Sequence, residues 1–261
     1  RQRERDARMT AALADLLEYL EPDERRELDE HLLALTTGQP HTEYQTAPIQ
    51  WAVEKLGVDE ATLVWSLGDG YDRHAWDGTP DPLATAFEAI ADWQDVGIES
   101  GTGTGKSYGV AILILWFLAC WENAQAFTFA PTEKQLKLYI WKNITELWPR
   151  FVVHFPDAEL TDLCIRMRGG IDEGWAAHGF PVGVRADEQV STRGAGMHAP
   201  HMLLVYEETP GIPLPVMEAG KNTCTAPHNL RIAIGNPNHQ LAALHRFCTE
   251  PGVQHVRMSA L

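Results

Sequence analysis

Cysteine is scarce in this chain: 4 in 261 residues, at Cys120, Cys164, Cys224 and Cys248, with no C-x-x-C spacing. That scatter argues against a disulfide framework or a zinc ribbon, and each thiol reads as a small buried hydrophobe. No signal-peptide pattern opens the sequence, so a reducing, cytoplasmic setting is expected. Long apolar runs are also missing. The best, residues 110–121, is too short for a bilayer span and reads as a buried helix. Positive charge is in short supply, with Lys+Arg 21 against Asp+Glu 36 and a net charge of −15. A generic basic nucleic-acid coat is thereby excluded, because phosphate contact needs local positive charge. A local basic patch, or one assembled by oligomerisation, stays open.

The remaining composition is that of a globular protein, 44% hydrophobic and 22% charged. In residues 1–37 apolar side chains recur at helical spacing (Met9, Leu13, Leu16, Leu17, Leu20, then Leu28, Leu32, Leu33), with Pro22 between two amphipathic helices. A further helical stretch is expected over 49–67, and the Gly/Pro-rich segment 68–82 reads as loop. Residues 1–75 therefore form a helical N-terminal region with linker, and 76–261 a second domain. There, strand-like runs at 96–100, 126–130, 163–168, 175–179, 202–206, 231–234 and 253–258 alternate with helical patterns at 107–121, 133–148, 214–223 and 240–249. That alternation predicts an α/β domain with a mostly parallel sheet and helices on both faces.

The strongest motif is Ser100-Gly101-Thr102-Gly103-Thr104-Gly105-Lys106-Ser107. It matches the Walker A pattern G-x-x-x-x-G-K-[ST] except that Ser100 replaces the first Gly. Glycines let backbone N–H groups turn toward a β-phosphate, and Lys106 supplies a cation to the β/γ-phosphates. Ser107 offers a hydroxyl to Mg2+, while the helix that follows points its positive end at the anion. A strand-like run before the loop and an apolar helix after it supply the required context. A chance Gly/Thr turn would not bring both.

Met202-Leu203-Leu204-Val205-Tyr206-Glu207-Glu208 is an apolar strand ending in two acids, the Walker B pattern. Glu207 falls where the Mg2+-associated acid sits, and Glu208 where a water-activating base sits. The bland alternative is a strand ending in two solvated carboxylates. Ile232-Ala233-Ile234-Gly235-Asn236-Pro237 ends another strand, and Asn236 is a candidate for contact with the γ-phosphate or attacking water. An Asn-Pro turn is the alternative there. His198-x-x-His201 lacks any further ligand cluster and reads as loop packing rather than zinc binding.

Beyond these motifs come Phe129-Ala130-Pro131-Thr132-Glu133-Lys134-Gln135-Leu136, then His198-Ala199-Pro200-His201 before the acidic strand and Pro210-Gly211-Ile212-Pro213 after it. In this order the residues resemble the ATPase domain of the large terminase subunit of tailed bacteriophages, the motor that packages genomic DNA. The resemblance covers residues 77–261. It implies a P-loop NTPase fold of the additional-strand type, with ATP and Mg2+ bound by the loop from Ser100 to Ser107. It further implies that Glu208 activates water and that Asn236 belongs to the motif coupling hydrolysis to DNA movement. The implied partners are double-stranded DNA, the small terminase subunit, the portal protein and further copies of the chain in a ring. The implied location is the host cytoplasm at the procapsid portal, with no membrane contact.

Some features depart from that family. It commonly shows Asp-Glu where this chain has Glu207-Glu208. Some members carry an Arg within the P-loop, and this loop has none. Glycine-flanked Arg193, in Ser191-Thr192-Arg193-Gly194, is the candidate finger reaching a neighbouring subunit's nucleotide; Arg185 is the runner-up, and a solvated loop Arg is the alternative for both. The family's adenine-contacting Gln is expected upstream of the P-loop. Gln94 stands very close to Val96, so the loop at 76–80 is the candidate for that role. Full-length large terminases also carry a C-terminal nuclease domain, expected to be absent here, which predicts an ATPase without DNA cleavage. Two other readings stand beside this one: a superfamily 2 type helicase or translocase, and a nucleotide-binding module that has lost hydrolysis.

Overall fold

The computed structural model of the chain describes residues 38–68, 81–167, 174–183, 199–237 and 242–259. The chain separates into two units, Arg1–Gln39 and Pro40–Leu261, and the sheet and its helices belong to the second. The expected hairpin at 1–37, the 76–80 loop, Arg185, Arg193 and His198 lie outside the described residues.

Among the described residues one sheet holds eight strands: β1 (Asp95–Ser100), β2 (Ala124–Ala130), β3 (Glu159–Thr161), β4 (Cys164–Arg166), β5 (Ala176–Pro181), β6 (His201–Tyr206), β7 (Asn229–Gly235) and β8 (Val253–Met258). Their order is β3-β4-β5-β2-β6-β7-β1-β8. From β5 to β8 every neighbouring pair is parallel, and the β3-β4 hairpin extends the sheet antiparallel beyond β5. Strand β7 lies between the P-loop strand β1 and the acidic strand β6, which is the additional-strand arrangement. Met202 to Tyr206 are all fully buried, the signature of a parallel strand covered on both faces.

Side-chain alternation sends Val96, Ile98, Leu203, Val205, Ile232 and Ile234 into one core and Met202, Leu204, Tyr206 and Ala233 into another. The first core is filled from α1 (Pro48–Leu56), α2 (Pro82–Ala91), α3 (Lys106–Cys120) and α5 (Ile140–Phe151); the second from α6 (Leu214–Thr223) and α7 (Ala243–Cys248). Helix α3 is buried without interruption from Gly109 to Cys120, as expected of a helix apolar all round. A Cβ on Gly109 would lie 2.7 Å from Leu83 Cδ1, so this glycine lets α2 and α3 approach closely. Helix α5 is amphipathic instead and buries Ile140, Trp141, Ile144, Leu147 and Phe151.

Buried indoles meet acceptors in this core: Trp116 Nε1 donates to Tyr44 O at 2.8 Å and Trp51 Nε1 to His41 Nδ1 at 2.9 Å. Burial holds the His41 pKa down at about 4, which keeps the imidazole neutral and able to accept.

Three expectations need correction. The helix expected over 49–67 ends at Leu56, because Gly57 turns left-handed at φ 57° and caps it. Asp59 then accepts from Ala61 N to start a short 3-10 turn, Glu60–Thr62. The helix expected over 133–148 is two, α4 (Glu133–Leu138) and α5, broken at Tyr139 with φ −111° and ψ −92°. Helix α2 was not expected, although Asp81-Pro82 is a helix-start signal, with Pro at the first turn. No described helix is long and apolar enough to cross a membrane.

Candidate active site

The loops following β1, β6 and β7 meet at the carboxyl ends of their strands, where open α/β sheets bind ligands. They border a cleft of about 510 Å3 lined by Thr102 to Tyr108, Glu208 and Asn236, with Gln135, Tyr139 and Asn143 as the far wall.

Within the P-loop the hydroxyls of Ser100 and Thr104 lie 3.0 Å apart, and Thr104 Oγ1 donates to Gly101 O at 3.3 Å. Both side chains are buried. They brace the loop from inside, leaving its outer surface to Thr102, Gly103 and Gly105. Gly103 and Gly105 sit at φ 79° and 85°, which a side chain would strain. A Ser at the first position is therefore used as a buttress, which local sequence alone did not reveal.

Lys106 opens α3 and turns its Nζ back over the loop, donating to Gly101 O at 3.1 Å and reaching Asn236 Oδ1 at 3.4 Å. Residues 130 positions apart are thus brought to the same point. Burial lowers the Lys106 pKa, and the nearby Glu207 and Glu208 oppose that by favouring its charge.

Ser107 Oγ donates to Glu207 Oε1 at 3.3 Å. Glu207 is fully buried, and its Oε2 has no hydrogen-bond partner. Burial first, and the Glu208 charge second, push its pKa up to about 7, against the pull of Lys106 and Ser107. A hydroxyl beside a carboxylate with one unsatisfied oxygen fits a hard, oxygen-seeking cation such as Mg2+. The longer Glu, where the related motif has Asp, does not spoil that fit.

Glu208 is half-buried and takes a left-handed backbone at φ 51° and ψ 44°, uncommon for a residue with a Cβ. What holds it there is a tightly packed turn. Thr209 Oγ1 lies 2.7 Å from Tyr206 O and 2.9 Å from Ile234 O, tying the turn to β7. A Cβ on Gly211 would lie 2.7 Å from Pro131 Cγ, and one on Gly235 would lie 2.7 Å from Pro210 Cδ. The ends of β2, β6 and β7 are thus wedged together beneath Glu208.

The far wall was not named from the sequence as part of the site. Thr132 caps α4 by accepting from Gln135 N at 3.2 Å, and its hydroxyl donates to Gln135 Oε1 at 2.8 Å. Thr132 is thus an N-cap, readable as Thr132-x-x-Gln135, with the Gln side chain bonded to the cap hydroxyl. Gln94 lies before β1, at the opposite end of that six-residue strand from the P-loop. At about 3.3 Å per residue it is far from any nucleotide there. His201, at the start of β6, stacks on His228 with ring centroids 5.2 Å apart and 6.1 Å from Trp121. His201 packs its ring among aromatic side chains at the start of β6.

In sequence the chain matches no family model and no curated protein. Solved structures do match in shape. The large terminase of the thermophilic bacteriophage D6E aligns over 84% of this chain and 46% of its own, at 11% identity and a TM-score of 0.51. The same terminase in complex with ADP aligns over 78% and 45%, at 12% identity and a TM-score of 0.48. A Thermus phage large terminase ATPase domain aligns over 66% and 78%, at 19% identity and a TM-score of 0.46. The chain spans less than half the length of the D6E terminase. In fold, the chain is similar to that large terminase: a P-loop α/β domain with the additional strand.

Proposed function

We propose that this chain is the ATP-hydrolysing motor domain of a phage terminase large subunit, powering movement of double-stranded DNA into a procapsid. The observation that carries the reading is the convergence of Lys106, Ser107, Glu208 and Asn236 on one cleft at the carboxyl ends of β1, β6 and β7, with buried Glu207 bonded to Ser107 behind it. The likeness in fold to a large terminase supports it, as do the sequence stretches around Pro131, Pro200 and Pro210.

In this reading the P-loop N–H groups and the start of α3 hold the β-phosphate, and Lys106 leaves Gly101 O to pair with phosphate oxygens. Ser107 and Glu207 are the residues that would hold Mg2+, which when bound neutralises charge on the β- and γ-phosphates. Glu208 accepts a proton from the water that attacks the γ-phosphorus, and ADP leaves as the β–γ bridge breaks. Asn236, already within reach of Lys106, contacts the γ-phosphate or that water. Arg193 from a neighbouring subunit supplies transition-state charge in a ring docked on the portal in the host cytoplasm, with the small subunit and DNA as further partners.

The test is phosphate release from ATP by purified, concentrated chain, with and without Mg2+ and duplex DNA. Lys106→Ala should abolish turnover and weaken nucleotide binding. Wild-type turnover in that variant would remove the P-loop from the mechanism. ATP binding without any turnover by the wild type would instead favour a nucleotide-binding module.

A further inference from the structure

Glu99 immediately precedes the P-loop, yet its side chain takes no part in the cleft. Alternation along β1 turns Gly97 and Glu99 to the face opposite Ile98, toward α7. There the carboxylate is only 6% exposed, with His245 Nδ1 3.3 Å from Oε1 and His255 Nε2 2.9 Å from Oε2. The Cys248 thiol is aimed into the same space: ligand atoms of Glu99, Cys248 and His255 all lie within 4.8 Å of one another. His245 and Cys248 are three residues apart on α7, so both face this point.

An ion pair with the two imidazoles and with Arg257, whose Nε is 3.5 Å from Glu99 Oε2, would account for the carboxylate. The sulfur belongs to the second apolar core and takes no part in that pairing. Room for that atom is made by the backbone: a Cβ on residue 97 would lie 2.4 Å from Cys248 Sγ, so only glycine fits beneath the thiol. Carboxylate, thiol and imidazole on three different elements form a donor set of one oxygen, one sulfur and one nitrogen, with His245 held against the other carboxylate oxygen. Zn2+ takes all three donor types in four-coordinate sites, while Mg2+ and Ca2+ avoid sulfur and prefer oxygen.

We propose that Glu99, Cys248 and His255 form a Zn2+ site, separate from the nucleotide cleft, that ties α7 and β8 to the P-loop strand, with His245 orienting the carboxylate and water completing four-coordination. It revises the reading of Cys248 as a mere apolar filler. Sequence spacing hid it, because the carboxylate comes 146 positions before the first imidazole. Arg257, with a side chain 45% exposed, swings out to solvent when the cation is in place. The thiol must lose its proton on binding.

The test uses the purified chain, stripped with a chelator and free of nucleotide, titrated with Zn2+ and separately with Co2+ as a spectroscopic substitute. One equivalent should bind, and the Co2+ form should show tetrahedral visible bands with a thiolate-to-metal charge-transfer band. Cys248→Ser should abolish the charge-transfer band, while Cys224→Ser should keep it. His255→Ala should weaken Zn2+ binding by at least about tenfold, the lower end of what even outer-sphere changes cost. Circular dichroism checks that each variant is folded, and His255, at a strand edge, serves if the buried Ser variant is not. Absence of a bound equivalent in the wild type, or a charge-transfer band that survives Cys248→Ser, would leave the cluster as a charge network and overturn the site.

Discussion

Replacing Glu207 by Gln isolates the cost of burying its charge. In the metal-free protein Glu207 has no exposed surface, and burial pushes its pKa from 4.5 to about 7. A group raised in the folded state binds its proton more tightly there than in the unfolded chain. Its contribution to stability is therefore complete below about pH 4.5 and is lost as pH rises through about 7. A rise of that size corresponds to roughly 3 kcal/mol at most. The Gln side chain has nearly the same shape and never ionises, but it leaves an amide where Oε2 has no partner. At pH 8 without metal, Glu207→Gln should accordingly stabilise the fold by about 1–3 kcal/mol, and at pH 5 by little or nothing. Urea denaturation at the two pH values measures this directly. The same variant should raise the Mg2+ requirement for ATP turnover. Equal stability differences at both pH values, or a Gln variant less stable at pH 8, would refute the burial argument.

Glu208→Gln should bind ATP and release phosphate roughly 10²–10⁴ times more slowly, as loss of a general base requires; indistinguishable kinetics for this variant and Glu207→Gln would undo the division of roles. Arg193→Ala should retain ATP binding and lose turnover, and mixing it with Glu208→Gln should restore some activity at mixed interfaces. No recovery in co-assembled mixtures would rule out a role in trans. Thr209→Val, which removes the buried hydroxyl bridging Tyr206 O and Ile234 O, should cost about 1–3 kcal/mol in thermal or urea melts. It should also slow turnover by loosening the strained Glu208 turn, and unchanged turnover would show that the turn holds itself.

The P-loop, the acidic strand and the α/β class are legible in the chain because each is written in short stretches. A loop of glycines ending in Lys106-Ser107 needs no distant partner to be recognised, and neither does an apolar run ending in Glu207-Glu208. Regular strands and helices are likewise set by local periodicity, so helix α6 at Leu214–Thr223 coincides with its expected bounds. Helix ends are less legible: Gly57 and Tyr139 break helices through backbone angles, and a hydrophobic pattern does not register those angles.

Which distant residues meet depends on the packing of the sheet. Insertion of β7 beside β1 brings Asn236 to Lys106, and the same pairing lets buried Arg231 clasp Asp95 through Nε at 2.9 Å, far from the cleft. The inward turn of Ser100, the far wall at Gln135 and the convergence of Glu99 with Cys248 and His255 depend on how strands pack side by side. Chain spacing holds no trace of that packing. It comes from burying two apolar faces of one sheet at once, which fixes strand order and thereby the chemistry gathered at its ends.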